Sequence, residues 1–178
     1  FTRYLLLKPP SDEQRGQKVL PSIRKAVKVP FKFIYVLRNP FDVAATKMLR
    51  RAPLRTEVSE RYKVYASPRN LSKSFQLGIV KALEKIIKAA ANYTRYLGDQ
   101  IITVYSEDVQ DNPTKELKRF CQFLEVPCSE DYLSDCSSIV LKSHSKTRNT
   151  IIWDEEAKDI LNRLIRKEPL FRRYKFED

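Results

Sequence analysis

The stretch Phe31-Lys-Phe-Ile-Tyr-Val-Leu-Arg-Asn-Pro-Phe-Asp-Val-Ala-Ala-Thr46 joins two patterns at one point. Its first half is an apolar run rich in aromatic and β-branched residues, which reads as a buried strand of a parallel sheet. The run ends at Arg38, and a helix start follows at once. Asn39 is a good N-cap, Pro40 suits the first helical position, and Asp42 falls where a capping-box acid would sit. Arg38 therefore stands at the carboxyl end of a strand, next to a helix N-terminus whose unpaired N–H groups favour anions. Thr46, eight residues after Arg38, lies two turns into the helix and offers a hydroxyl.

A second strand-to-helix junction follows in Ile101-Ile-Thr-Val-Tyr-Ser-Glu-Asp-Val-Gln-Asp-Asn-Pro-Thr114. Asn112 and Pro113 open a helix whose Leu117, Phe120, Cys121 and Leu124 recur at i, i+3, i+4 and i+7, one apolar face. Glu107 and Asp108 read as residues that cap and solvate the turn. Further on, Leu141-Lys-Ser-His-Ser-Lys-Thr-Arg-Asn-Thr-Ile-Ile-Trp153 is a basic, hydroxyl-rich loop closing on the single Trp of the chain. Cations and hydroxyls together suit a phosphate dianion, and an Arg fork can bind one through two N–H groups.

Taken together, these segments resemble the sulfotransferases that use 3′-phosphoadenosine 5′-phosphosulfate (PAPS). That family carries an apolar strand, then Arg-Asn-Pro-x-Asp-Val, then Ser eight residues after the Arg. Arg38, Asn39, Pro40, Asp42 and Val43 match, and Thr46 replaces the Ser with its hydroxyl kept. The family's Tyr-Glu-Asp-Leu strand end is matched around Tyr105, with Ser106 as a one-residue departure. Its Arg-Lys-Gly, seven, six and five residues before a Trp, falls on Lys146, Thr147 and Arg148, so charge is retained and the Gly is lost. The resemblance thus implies that Arg38, Thr46, Lys146, Thr147 and Arg148 contact the 3′-phosphate of PAPS. In Arg3-Tyr-Leu-Leu-Leu-Lys-Pro-Pro10, Lys8 matches the family's catalytic Lys, but Pro9 and Pro10 stand where Thr and a general-base His would be. No base is carried over, and a strand-end surface Lys is an equal alternative for Lys8.

The implied fold is α/β, a three-layer parallel sheet flanked by helices, of the P-loop-NTPase-like sulfotransferase kind. It is incomplete, because the glycines Gly16, Gly78 and Gly98 are isolated and no phosphate-binding Gly-rich loop occurs. The expectation is a single domain over residues 1–178, the carboxyl-terminal portion of a sulfotransferase lacking the 5′-phosphosulfate loop, and inactive by itself. Its function would be sulfuryl transfer from PAPS to an acceptor hydroxyl or amine, of a glycan or small molecule.

Charge adds a second possibility. The 34 Lys and Arg against 22 Asp and Glu give a net +12, which suits an anionic nucleotide, an acidic glycan acceptor, or nucleic acid. A non-catalytic polyanion-binding module is the alternative, but it calls for exposed aromatics among the basic residues. Here the aromatics fall in apolar runs, so nucleic acid is not the expected partner. No apolar run reaches transmembrane length, and an anchor cannot be assessed from this stretch. Formal glycosylation triplets at Asn70 and Asn92 tilt the expected location toward the Golgi lumen over the cytoplasm. Cys121 reads as a core residue, whereas Cys128 and Cys136 are open to a disulfide or to two reduced thiols. With no second Cys/His cluster, no metal is expected.

The remaining chain supplies scaffold. A short helix is expected over residues 20–27 after a polar loop at 11–17, and an irregular segment over 52–68. A long helix over 71–97 should bury Phe75, Ile79, Leu83, Ile86, Ala90 and Tyr93 and end at Gly98, with Lys81, Lys85 and Lys88 solvated. Ala157, Ile160, Leu161, Leu164 and Ile165 mark a final helix, and Phe171, Tyr174 and Phe176 an aromatic tail that packs back.

Overall fold

The computed structural model describes residues 21–22, 25–26, 31–52, 68–141, 143–144 and 146–178. The strand expected at 3–8, the loop at 11–17 and nearly all of the 52–68 segment lie outside the described residues. Within the expected 20–27 helix, residues 21–22 and 25–26 are helical. The elements in chain order are β1 (Phe33–Leu37), α1 (Pro40–Arg51), β2 (Arg69–Asn70), α2 (Lys73–Leu97), β3 (Ile101–Tyr105), α3 (Ser106–Asp111), α4 (Pro113–Leu124), α5 (Glu130–Ser138), β4 (Ile151–Ile152) and α6 (Glu155–Lys167). The class is α/β, with parallel strand pairing throughout the described residues. In place of one broad sheet, the described strands form two parallel pairs, β1 with β3 and β2 with β4.

The chain divides into two compact units, Phe1–Arg38 with Ala89–His144, and Asn39–Lys88 with Ser145–Asp178. In the first, β1 and β3 run in register from Phe33 opposite Ile101 to Leu37 opposite Tyr105. Phe31, Phe33 and Ile101 pack on Ala89, Tyr93 and Leu97 from the end of α2, with Tyr35 against the cluster. Phe31 and Phe33 meet edge to face at 5.4 Å between ring centroids, an arrangement the ring quadrupoles favour. Asn112 caps α4 by accepting from the Lys115 N–H at 3.2 Å. The helix ends on Glu125, a non-Gly residue at φ 57°, while the Lys32 ammonium donates to the Phe123 carbonyl and pairs with Glu125.

The motifs did not announce α5, which begins two residues after Cys128 and includes Cys136. Ser129 caps it through the Tyr132 N–H at 3.2 Å, and Leu133 anchors it. All three cysteines are free thiols, so of the two states left open for Cys128 and Cys136 the structure has the reduced one. Burial, with Cys128 as a hydrogen-bond partner, pushes the Cys121 thiol up to about 11.

In the second unit, α1 buries Phe41, Ala44, Ala45 and Met48, and α6 buries Ala157, Leu161, Leu164 and Ile165. Asp154 caps α6 by accepting from the N–H groups of Glu156 and Ala157. The tail returns as expected, with Phe171 and Tyr174 buried. The start of α2 is fixed by Gln76, only 1% exposed and fully bonded. Its amide donates to the carbonyls of Leu71 and Ile152, at 2.9 and 3.0 Å, and its oxygen accepts from the Asp154 N–H at 3.0 Å. Helix α2 starts two residues later than expected, at Lys73, and stops at Gly98, whose φ of +50° suits a residue without a Cβ. Its Lys81, Lys85 and Lys88 are exposed.

Candidate functional site

Helix α1 begins as its sequence demands. The Asn39 side-chain oxygen accepts from the Phe41 N–H at 3.0 Å, and Pro40 fills the first position, where an N–H would find no helical partner. The Asn39 amide also donates to the Lys175 carbonyl at 2.9 Å, which ties the tail to the cap. Twelve residues of aligned peptide dipoles leave this end partially positive, a favourable place for an anion.

Asp42, in the first turn of α1, bonds across to the loop. Its carboxylate, 3% exposed, holds the basic loop: Oδ1 accepts the Arg148 main-chain N–H and Oδ2 accepts Nη1 of the Arg148 guanidinium, both at 2.9 Å. Nη2 of Arg148 donates to the Asp178 main-chain oxygen. Arg148 is itself only 3% exposed. The motif reading placed this side chain on a phosphate, but two of its nitrogens already face acceptors inside the protein. Arg148 stands where the family pattern has Gly, so the motif itself does not say where a side chain at this position points.

The rest of the loop is tied down around this pair. Residues Thr147–Thr150 form one 3₁₀ turn, in which the Asn149 N–H donates to the Lys146 carbonyl at 3.0 Å and the Thr150 hydroxyl to the Thr147 carbonyl at 2.7 Å. Trp153 Nε1 donates to the Arg148 carbonyl at 2.9 Å. The Trp153 ring meets Phe41 at 5.4 Å and Phe176 at 6.1 Å, both edge to face, and Phe41 meets Phe176 at 5.0 Å. The Lys158 ammonium lies 4.1 Å from the Phe176 ring centroid.

Thr46 is half-buried and lies one turn beyond Asp42 on the same stripe of α1. Lys146 is exposed and Thr147 half-buried. Thr46, Lys146, Thr147 and Arg148 belong to the second unit, and Arg38, half-buried, ends the first. Lys8 lies outside the described residues. Glu107 and Asp108 occupy the first turn of α3, whose N-cap residue, Tyr105, makes no side-chain capping hydrogen bond. His144 forms a 2.8 Å pair with Asp111. Among the described residues no cluster of His, Cys, Asp and Glu is arranged to hold a metal ion, and no helix is long and apolar enough to cross a membrane.

Residues 18–178 match the sulfotransferase domain family. The chain belongs to the sulfotransferase family. A comparison with curated proteins finds no match. Among solved structures it is similar to mouse sulfotransferase SULT7A1 complexed with PAP, at 12% identity and a TM-score of 0.51, over 93% of this chain and 74% of that one. At that identity the likeness concerns the fold alone, and the α/β sulfotransferase fold is what the two chains share.

Proposed function

We propose that this sulfotransferase takes its sulfuryl group from PAPS and delivers it to an acceptor hydroxyl or amine, on a glycan or a small molecule. The observation that carries the reading is the Arg38-Asn39-Pro40 junction, an Arg followed by a capped helix start, inside a family match that spans it. Sulfonate transfer is an in-line displacement, so protein groups contribute by holding donor and acceptor aligned and by neutralising charge on the departing phosphate oxygen. Residue by residue, the motifs assign Arg38 and the Thr46 hydroxyl to the donor's 3′-phosphate, with Lys146 and Thr147 from the loop. Lys8 is the motif's candidate for stabilising the transferring group.

Titration calorimetry with 3′-phosphoadenosine 5′-phosphate and its 3′-dephosphorylated analogue, adenosine 5′-phosphate, tests this reading. A marked preference for the first is expected. Arg38→Ala should weaken its binding by roughly 2–4 kcal/mol, the scale of leaving a phosphate charge without its charged donor. Equal affinity for the two nucleotides, with steep salt dependence, would instead favour the polyanion-binding alternative that the +12 charge permits.

A further inference from the structure

We infer that Arg148 is a positioning residue, which, through its pair with Asp42, fixes the turn that presents Lys146 and Thr147 to the donor's 3′-phosphate. The inference rests on the PAPS reading above and assigns the loop's anion recognition to those two residues.

Three observations carry it. First, the Arg148 charge is already met: its guanidinium and the Asp42 carboxylate are 2.9 Å apart, with both side chains nearly excluded from solvent. A phosphate placed on this fork would also face the Asp42 carboxylate, and two anions sharing one buried cation repel each other. Second, the main chain at Arg148 is held on both sides, its N–H by Asp42 and its carbonyl by Trp153. The carbonyls of Lys146 and Thr147 are likewise taken within the turn. A turn bonded at consecutive peptides sets the direction in which its side chains leave, and an arrangement fixed before binding spares the ordering entropy at the moment of binding. Third, Lys146 leaves the same turn exposed while Arg148 is buried. The family pattern has Gly at position 148, and the side chain that stands there instead makes its contacts with Asp42 and the Asp178 main chain.

The test compares Asp42→Asn, Arg148→Met and their combination for binding of 3′-phosphoadenosine 5′-phosphate and adenosine 5′-phosphate by calorimetry. A positioning pair predicts that each single change weakens the 3′-phosphorylated nucleotide by roughly tenfold, and that the double change costs no more than one of them, since residues acting as a unit are not additive. Lys146→Met should lose affinity for that nucleotide alone and flatten its salt dependence. If Arg148 were instead a direct ligand, Asp42→Asn would leave binding unchanged or tighter by releasing the guanidinium, and that result would overturn the inference. A measurement on the unaltered chain covers the case in which a variant does not fold. The Arg148 guanidinium protons, followed by NMR, should keep their shifts through saturation with 3′-phosphoadenosine 5′-phosphate, and a large shift on binding would overturn the inference. An unaltered chain that binds both nucleotides equally defeats the PAPS reading itself, and the inference with it.

Discussion

The β1–β3 pair and the Asp42–Arg148 pair hold their units together by opposite means. In the first unit Phe31, Phe33, Ile101, Tyr93 and Leu97 exclude water from one another, and no charge takes part. Exclusion of that kind is non-directional and tolerates changes of shape that keep volume. In the second, a carboxylate and a guanidinium from residues 106 positions apart are fixed in one geometry and buried together. Such a pair adds little net stability over well-packed apolar residues, but it fails badly when half of it is removed. An apolar cluster mainly stabilises, whereas a buried ion pair mainly specifies.

The largest expected effect lies on the polar side. Asp42→Ala leaves the Arg148 charge buried without its carboxylate and should cost about 4 kcal/mol in urea unfolding. A loss under about 1 kcal/mol would mean that the pair is open to water. Phe33→Ala should come next, at about 3 kcal/mol, from lost transfer energy and the cavity left beneath β1. Gln76→Leu strands two carbonyls and one N–H and should cost about 2 kcal/mol.

The fourth prediction concerns pH. Burial, with Tyr93 nearby, pushes the Tyr35 hydroxyl up to about 12 from an ordinary 10.0. The neutral phenol is thus favoured in the folded chain, so this contribution is intact below pH 10 and is lost as pH rises toward 12. Stability should fall by about 2 kcal/mol more across that window than in Tyr35→Phe. Equal slopes for the two proteins would show that the hydroxyl is hydrated when folded. Smallest of all should be the joint change Asp42→Leu with Arg148→Met, within about 1 kcal/mol of the unaltered chain despite the large single effect. If it matches the single loss instead, the pair contributes net stability, and the contrast between the two units narrows.

This contrast also explains what could be read from the chain without its structure. Local features were legible because their causes are local. The Asn39-Pro40 and Asn112-Pro113 starts, the strand ends at Leu37 and Tyr105, the stop at Gly98 and the apolar faces of α2 and α6 all follow from propensity and period. The Gln76 clamp was not legible, since a Gln on an apolar stripe says nothing of the Ile152 carbonyl that receives it. Helix α5 was hidden because it is short and its single buried Leu133 gives no periodic signal. At the candidate site the junction around Arg38 could be read from type and spacing alone. Where the Arg148 fork points could not, because that depends on Asp42, far away in sequence, being brought beside it by folding.

Trp153 has a further consequence. It is the single indole of the chain, hydrogen-bonded to the Arg148 carbonyl and ringed by Phe41 and Phe176. Its emission colour and lifetime depend on that bond and on how much water reaches the half-buried ring. The sulfotransferase therefore carries a native optical reporter on the loop itself, readable without a label. Loosening at Arg148 that frees the indole N–H and wets the ring would redden the emission.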